Sequence, residues 1–265
     1  MTILPPPSEP GRGNVVCDLD GVVYLGDTGI PGAGPALAEI DRRGFRLIFA
    51  TNAPIRTPEE VADHIASLTG YPAAPSQVLT SAMVAADSLS ARDAPVLTIG
   101  ESGLAVTLQR AGLSLTANPL EARTVVVGLD RHLTYDHLRL AAAALRRGAR
   151  FVASNRDPTY PMESGPWPGG GAIVAALEVA TGRTAEVVGK PHPPMRDAVL
   201  RRLGAGPTWV VGDRPETDLA LGRGQGWTTV LVLTGVVADV AEVPPELRPD
   251  LVLETIADLP ACLPG

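Results

Sequence analysis

The chain has 265 residues, of which 45% are hydrophobic, and a formal net charge of -7 at pH 7. This length and composition predict a globular protein that can bury one large core or two packed domains. The acidic balance and the scattered arginines give no positive face for nucleic acid, so we expect no nucleic acid partner.

Cysteine content and the first residues bear on the cellular compartment. The two cysteines, Cys17 and Cys262, are too few for a disulfide framework or a zinc cluster, which favours a reducing cytoplasm. The stretch from Met1 to Gly13 contains Pro5-Pro6-Pro7 and has no basic segment followed by a long apolar run. It predicts a loose lead-in, with neither a signal peptide nor a membrane helix, and therefore no membrane partner.

Apolar runs of about five residues alternate with helix-like stretches along the whole chain. Such alternation is typical of an α/β fold, in which a parallel sheet is buried on both faces by crossover helices. Strands are predicted at residues 15–17, 46–50, 96–99, 125–127, 151–153, 209–211, 230–233 and 251–253.

Helix boundaries follow from capping residues. A helix over residues 36–43 should end at Gly44, and Thr57 with Glu60 forms a predicted capping box for a helix running to Leu68. Three more helices are expected to have N-caps at Ser81, Ser102 and Thr134.

Two acids follow the first predicted strand. Asp18 and Asp20 are two positions apart, so in extended chain their side chains point to the same side. Carboxylates this close repel each other unless a cation or a shared proton offsets their charge. The pair therefore predicts a divalent metal site, a raised pKa, or both.

Other polar residues follow further strands. Thr51 and Asn52 come after the second strand, Asp213 follows residues 209–211, and Lys190 follows the short apolar run 187–188. Open parallel sheets bind ligands at the carboxyl ends of their strands. Lys190 is the only lysine among 22 basic residues, and its compact ammonium predicts a tight anion site.

These residue types suit phosphoryl transfer. Mg²⁺ prefers hard oxygen ligands, which Asp18 and Asp213 can supply. With the phosphate neutralised by the metal and by Lys190, Asp18 can attack phosphorus and form an aspartyl phosphate. Asp20 can protonate the leaving group and later activate water, while Thr51 and Asn52 donate hydrogen bonds to the transferring oxygens.

Taken singly, several of these residues have a purely structural explanation. Asp20 can be a turn former, Asp218 a first-turn acid of a helix, and Lys190 a surface charge. Their convergence at the ends of strands favours a functional site.

Taken together in chain order, the segments that carry these residues resemble the motifs of the haloacid dehalogenase superfamily. The resemblance is to its NagD-like branch of 4-nitrophenylphosphatases, phosphoglycolate phosphatases and glycerol-3-phosphate phosphatases. The resemblance covers nearly the whole chain. It is carried by Asp18-Leu19-Asp20-Gly21, Phe49-Ala50-Thr51-Asn52, Gly189-Lys190-Pro191, and Gly212-Asp213 through Asp218.

The resemblance implies roles for the candidate residues. Asp18 would be the nucleophile and a metal ligand, Asp20 the acid/base that also ligates through its backbone carbonyl, and Asp213 a further metal ligand. Thr51 and Lys190 would bind the phosphate. Asp218 would support the site from outside the metal's immediate ligands. Ala53 and Pro215 depart from the usual family pattern without removing a chemical group.

The resemblance also implies a domain organisation. A Rossmann-like core formed by residues 1–82 and 185–265 would carry an inserted α/β cap of the C2 type, residues 83–184. In that cap, Asn155, Arg156 and Asp157 resemble the loop that faces the substrate. Arg156 motivates the hypothesis that the substrate carries a second anionic or highly polar group.

The sequence therefore predicts a Mg²⁺-dependent phosphatase that hydrolyses a small cytoplasmic phosphomonoester, such as glycerol 3-phosphate or 2-phosphoglycolate. A phosphotransferase using the same intermediate and a non-catalytic phosphometabolite-binding protein stay open as alternatives. The oligomeric state stays open, with a homodimer as one alternative.

Overall fold

The computed structural model describes residues 12–264. Most of the predicted lead-in therefore lies outside the described residues, and Gly13 already belongs to the first strand. The strands are β1 (Gly13–Cys17), β2 (Tyr24–Leu25), β3 (Thr28–Gly29), β4 (Phe45–Thr51), β5 (Val78–Thr80), β6 (Val96–Ile99), β7 (Thr124–Val127), β8 (Arg150–Ala153), β9 (Thr159–Tyr160), β10 (Trp167–Pro168), β11 (Glu186–Val187), β12 (Thr208–Gly212), β13 (Thr228–Val232) and β14 (Leu251–Leu253).

Helices connect most of these strands, and a π-helical turn, Pro215–Leu219, follows β12. The helices are α1 (Ala33–Arg42), α2 (Pro58–Thr69), α3 (Ser81–Asp87), α4 (Ser102–Arg110), α5 (Tyr135–Arg146), α6 (Gly170–Thr181), α7 (Pro193–Leu200), α8 (Ala220–Gly222) and α9 (Leu259–Cys262).

The larger sheet has six parallel strands in the order β14-β13-β12-β1-β4-β5. Its central strand β1 is fully buried, and Val15 pairs with Leu47 on one side and Trp209 on the other. A second parallel sheet has the order β11-β8-β7-β6. The predicted α/β class with a parallel core sheet is confirmed.

All eight predicted strands are present, and no end shifts by more than two residues. Prediction missed β5, β11 and two small antiparallel hairpins, β2–β3 and β9–β10. These strands have only two or three residues, too few for a hydrophobic period to show in sequence.

The helix caps confirm some predictions and correct others. The Thr57 and Glu60 capping box is present, and the Thr134 hydroxyl accepts a hydrogen bond from the backbone of its helix. Ser81 and Ser102 were wrong as caps by one residue, because each is the first helical residue. Thr80 caps α3 instead, which frees the Ser81 hydroxyl to donate to the Asn52 carbonyl at 2.7 Å.

One hydrophobic cluster joins the two sheets. Val16 and Val210 of the larger sheet belong to the same buried cluster as Leu104 of α4 and Val126 of the second sheet, with residues of α3 and α7 between them. The second sheet includes β11, at residues 186–187, which pairs with β8. The two sheets therefore share a hydrophobic core, and residues that follow strands of both sheets line the site described next.

Candidate active site

The carboxyl end of the larger sheet gathers three carboxylates. Asp18 directly follows β1, and its backbone N–H donates to the Val211 carbonyl at 2.9 Å. Asp213 directly follows β12, and Asp218 lies in the π-helical turn beyond it. Oxygen atoms of Asp18, Asp213 and Asp218 all lie within 4.8 Å of one another.

Glycines make this close approach achievable. Gly21 has a φ of +82°, and a Cβ there would lie 2.4 Å from Asp213 Oδ2. A Cβ on Gly212 would lie 2.1 Å from the Cβ of Asp218. Side chains at either position would push an acid out of the cluster.

Lys190 is the cation of the cluster. Its Nζ donates to Asp18 Oδ1 at 2.6 Å and to the Ala50 carbonyl at 2.7 Å, and it lies 2.7 Å from Asp218 Oδ1. Burial lowers the pKa of Lys190, but Asp18 and Asp218 raise it more, so the pKa lies above its ordinary value. The side chain is therefore a charged ammonium that donates two hydrogen bonds and contacts Asp218 Oδ1 as an ion pair.

Asn52 holds the backbone of Lys190. Its Oδ1 accepts from the Lys190 N–H at 2.7 Å, and its Nδ2 donates to the Lys190 carbonyl and to Asp157 Oδ1, both at 3.2 Å. Gly189 permits this approach, since a Cβ there would lie 2.5 Å from Asn52 Oδ1. Asn52 was predicted to bind phosphate, and both of its amide N–H groups contact protein atoms here.

The three carboxylates can carry more negative charge than one ammonium neutralises. Burial, with added repulsion from Asp218 and Asp213, raises the pKa of Asp18 well above its ordinary value against the attraction of Lys190. Burial and Asp218 raise the pKa of Asp213 to about 7, although the Val236 N–H donates to it at 2.7 Å. A buried cluster of carboxylate oxygens with excess negative charge fits a hard divalent cation such as Mg²⁺.

Asp20 lies beside this cluster but outside the group of three. It is buried, and within residues 12–264 its Oδ1 has no hydrogen-bond partner. Burial raises the pKa of Asp20 to about 6, partly offset by the Tyr160 hydroxyl and by Arg56. A carboxyl group with this pKa can both donate and accept a proton near neutral pH.

Three of the remaining predicted residues line the cavity, and one does not. Thr51 is buried and its hydroxyl accepts from the Ala53 N–H at 3.0 Å. Asn155 and Asp157 line the cavity, and Asn155 Nδ2 donates to the Asn52 carbonyl at 2.7 Å. Arg156 instead pairs with Glu178 and is not among the residues that line the cavity.

Two residues of the site were not predicted. Arg214 lines the cavity, and its Nη2 donates to Thr159 Oγ1 at 2.9 Å and to the Thr159 carbonyl at 3.2 Å. Its position next to Asp213 was the only sequence signal for it. Tyr160 approaches Asp20 from 140 positions away in the chain, and no pattern in the sequence connects the two.

Two family models match the chain: haloacid dehalogenase-like hydrolase over residues 15–114, and HAD-hydrolase-like over residues 187–259. Human chronophin is 38% identical over 269 residues, covering 92% of this chain and 91% of chronophin. The chain belongs to the haloacid dehalogenase-like hydrolases. The predicted NagD-like branch of this superfamily is confirmed.

Two further relatives are phosphatases by name. The acid sugar phosphatase of Staphylococcus haemolyticus is 36% identical over 223 residues, covering 83% of this chain and 84% of that protein. The solved structure of a glycerol phosphate phosphatase from Mycobacterium tuberculosis in complex with magnesium matches with a TM-score of 0.84 and 34% identity, covering 96% of this chain and 78% of that one. The predicted enzyme class, a phosphoric monoester hydrolase of the haloacid dehalogenase type, is confirmed.

Between residues 12 and 264, none of the helices combines the length and the apolar character needed to cross a bilayer.

Proposed function

We propose that the protein is a Mg²⁺-dependent phosphatase that hydrolyses a small phosphomonoester through an aspartyl-phosphate intermediate on Asp18. The observation that carries the proposal is the buried cluster in which Lys190 contacts Asp18 while Asp213 and Asp218 complete a group of carboxylates within 4.8 Å. Such a cluster binds a cation and a phosphate together, because each offsets the charge of the other.

The Asp18 and Asp213 carboxylates and the backbone carbonyl of Asp20 would hold Mg²⁺. The magnesium complex of the Mycobacterium tuberculosis relative supports Mg²⁺ as the ion. When bound, the ion would neutralise phosphate oxygens and make phosphorus open to attack by an anion. Asp218, which lies 2.7 Å from Lys190 and accepts from the Arg214 N–H at 3.1 Å, would keep the lysine in place.

The chemistry then follows from the positions of two acids. A carboxylate oxygen of Asp18 attacks phosphorus, the bond from phosphorus to the ester oxygen breaks, and Asp20 gives its proton to the departing alcohol. Asp20, now a carboxylate, takes a proton from water as that water attacks the aspartyl phosphate. Asp18 leaves as a carboxylate and inorganic phosphate is released. Lys190 and the Thr51 hydroxyl would bind the transferring oxygens.

We further propose that residues 83–184 act as a cap on a core of residues 1–82 and 185–265. Contacts across the site support this division: Asn155 with Asn52, Arg214 with Thr159, and a hydrogen bond from Thr28 to Glu163. In this role Asn155, Arg156 and Asp157 would influence substrate choice from the cap loop.

The size of the cavity supports a small substrate. Its volume is about 40 Å³, only slightly more than the roughly 30 Å³ that one water occupies in the liquid, so this closed arrangement leaves no room for a bulky ester. Glycerol 3-phosphate and 2-phosphoglycolate are small phosphate esters, and we propose to test them first. The names of the relatives, which include an acid sugar phosphatase and a glycerol phosphate phosphatase, are compatible with polar substrates of this size.

A phosphate-release screen over small phosphate esters with Mg²⁺ tests the proposal. We expect release by the wild type and its loss in Asp18→Asn, with unfolding temperature and circular dichroism spectrum showing that the variant folds. Absence of release from every ester would favour a binding protein. Glycerol added to the assay separates hydrolysis from transfer, because a phosphotransferase would form a new ester at the expense of inorganic phosphate.

The compartment and assembly stay predictions. Both cysteines are free, with Cys17 buried and Cys262 exposed, and we propose a reducing cytoplasm on this basis. A homodimer is one alternative for the oligomeric state, and light scattering in solution tests it.

A further inference from the structure

A second cavity lies apart from the candidate active site. Its volume is about 470 Å³, within the range of about 300–1,000 Å³ that is usual for small-molecule sites. Its walls come from the start of α2, the chain before β5, the later parts of α3 and α4, and Arg202 just beyond α7. None of the residues assigned to phosphoryl transfer lines it.

Arg202 is the unusual member of this cavity. It is 3% exposed, and its Nε is buried without a hydrogen-bond partner among residues 12–264. Its Nη1 donates to the Ala198 carbonyl at 3.3 Å, which is a long hydrogen bond. A guanidinium keeps its charge at any physiological pH, so a buried one with unused donors is costly unless an anion contacts it.

The acids nearby are engaged by other arginines. Asp87 Oδ2 lies 3.7 Å from Arg201, and Glu59 Oε2 lies 2.7 Å from Arg110. In the part of the chain that the structure describes, no carboxylate lies within ion-pair distance of Arg202, although Asp87 attracts it from farther away. The Arg202 guanidinium is therefore the uncompensated charge of the cavity.

The other walls are largely apolar. Val78, Met83, Ala86 and Ala111 contribute hydrocarbon surface beside the guanidinium. A ligand that matches both surfaces would have an apolar body and one oxyanion. Paired oxygens of a carboxylate or phosphate suit the planar fork of an arginine.

We propose that this cavity binds a small molecule that carries one carboxylate or phosphate group on an apolar body, with the oxyanion held by Arg202. The site is separate from the phosphatase centre and does not depend on the proposed function. Its ligand would contact α3 through Met83 and Ala86.

Methionine NMR tests the proposal directly, because the chain has only four methionines. With ¹³C-methyl methionine, 4-phenylbutyrate should shift the resonance of Met83, assigned with Met83→Leu, and leave that of Met162, which lies near Gly26, in place. The neutral 4-phenylbutanol should bind at least about tenfold more weakly. A comparison of 4-phenylbutyrate with the matching phosphonate shows which oxyanion the site prefers, because the preferred one binds more tightly.

Substitutions test whether 4-phenylbutyrate binds in this cavity. Arg202→Met should weaken 4-phenylbutyrate binding at least about tenfold, whereas Arg196→Met, which removes an equal charge outside the cavity, should change it less than about twofold. Met83→Trp narrows the cavity while retaining Arg202 and should abolish binding, measured by isothermal titration calorimetry because this variant lacks the Met83 resonance; it decides the matter if Arg202→Met does not fold.

Three results would overturn the proposal. These are equal binding of the acid and the alcohol, unchanged binding after Met83→Trp, and displacement of the probe by inorganic phosphate together with a shift at Met162. Absence of binding at 4-phenylbutyrate concentrations up to about ten millimolar would also overturn it, because the binding free energy would then be weaker than about 3 kcal/mol.

Discussion

The ammonium group of Lys190 lies 2.6 Å from a carboxylate oxygen of Asp18, although 172 positions separate the two residues in the chain. The same ammonium contacts the Ala50 carbonyl and Asp218. It therefore connects the ends of β1 and β4 with the turn after β12. This contact orients the proposed nucleophile and places a positive charge where a phosphate would enter.

Substitution of Lys190 should remove most of the activity. Lys190→Met leaves buried carboxylates without their cation, and we expect kcat/KM to fall at least about 100-fold. Lys190→Arg should also lose activity, because three acceptors surround a compact ammonium and leave little room for a guanidinium. Phosphate-release kinetics with matched unfolding temperatures provide the measurement. An arginine variant with near wild-type kcat/KM would contradict this role.

Mg²⁺ affinity should rise with pH. The pKa of Asp213 is about 7 in the metal-free protein, so a proton competes with the ion below that pH. We expect the dissociation constant to fall at least roughly tenfold between pH 6 and pH 8. Isothermal titration at several pH values, in buffers of different ionisation enthalpy, would also show proton release on binding. A pH-independent affinity would argue against Asp213 as a ligand.

The metal-free protein should lose stability as the pH rises. The folded-state pKa of Asp213 is raised to about 7, so between about pH 4 and pH 7 the folded protein binds more protons than the unfolded chain. The stabilising contribution present below that window is lost as the pH rises through it. Urea unfolding in the presence of EDTA should therefore show lower stability at pH 8 than at pH 5.

Asp213→Asn is the matched variant for that measurement. It removes the charge and keeps an oxygen that can accept from the Val236 N–H. We expect the metal-free variant to be more stable than wild type at pH 8 and to depend less on pH. Saturating Mg²⁺ should stabilise wild type and have little effect on the variant. Equal stabilisation of both proteins would show that the ion binds elsewhere.

Alanine substitutions at Gly21 and Gly44 distinguish the effect of backbone strain from the effect of crowding at the metal site. Their φ values are +82° and +81°, but a Cβ on Gly21 would meet Asp213, while one on Gly44 would meet nothing within 4 Å. Gly44→Ala should cost roughly 1–2 kcal/mol of unfolding free energy and leave kcat/KM unchanged. Gly21→Ala should cost more and weaken Mg²⁺ binding about tenfold or more. Equal effects of the two substitutions on Mg²⁺ affinity would refute the crowding argument.

The anchor between Arg214 and Thr159 should affect substrate binding. Arg214→Gln removes both hydrogen bonds to Thr159. We expect KM to rise several-fold with a smaller change in kcat, because the segment that carries Thr159 is held less firmly against the site.

Arg156→Ala tests the hypothesis that the substrate carries a second anionic group, in the same substrate panel. An unchanged ranking of substrates in Arg156→Ala would leave its pairing with Glu178 as its only role.

Much of the fold and part of the site could be predicted from the sequence. Buried parallel strands need continuous apolar runs, and the acids that follow them are neighbours in the chain, so Asp18, Asp20 and Asp213 were identifiable from local pattern. Lys190 was identifiable because it is the only lysine in the sequence. Short strands such as β5 and β11 were missed, whereas β14, also of three residues, was found because all three of its residues are apolar.

Only the tertiary structure decided which of these groups meet and what each one contacts. It directed the Asn52 amide to the backbone of Lys190, brought Tyr160 and Arg214 to the site, and paired Arg156 with Glu178. Local sequence determines secondary structure through propensity and hydrophobic period. Distances between side chains far apart in the chain, and the pKa shifts that burial causes, exist only once the sheets have packed.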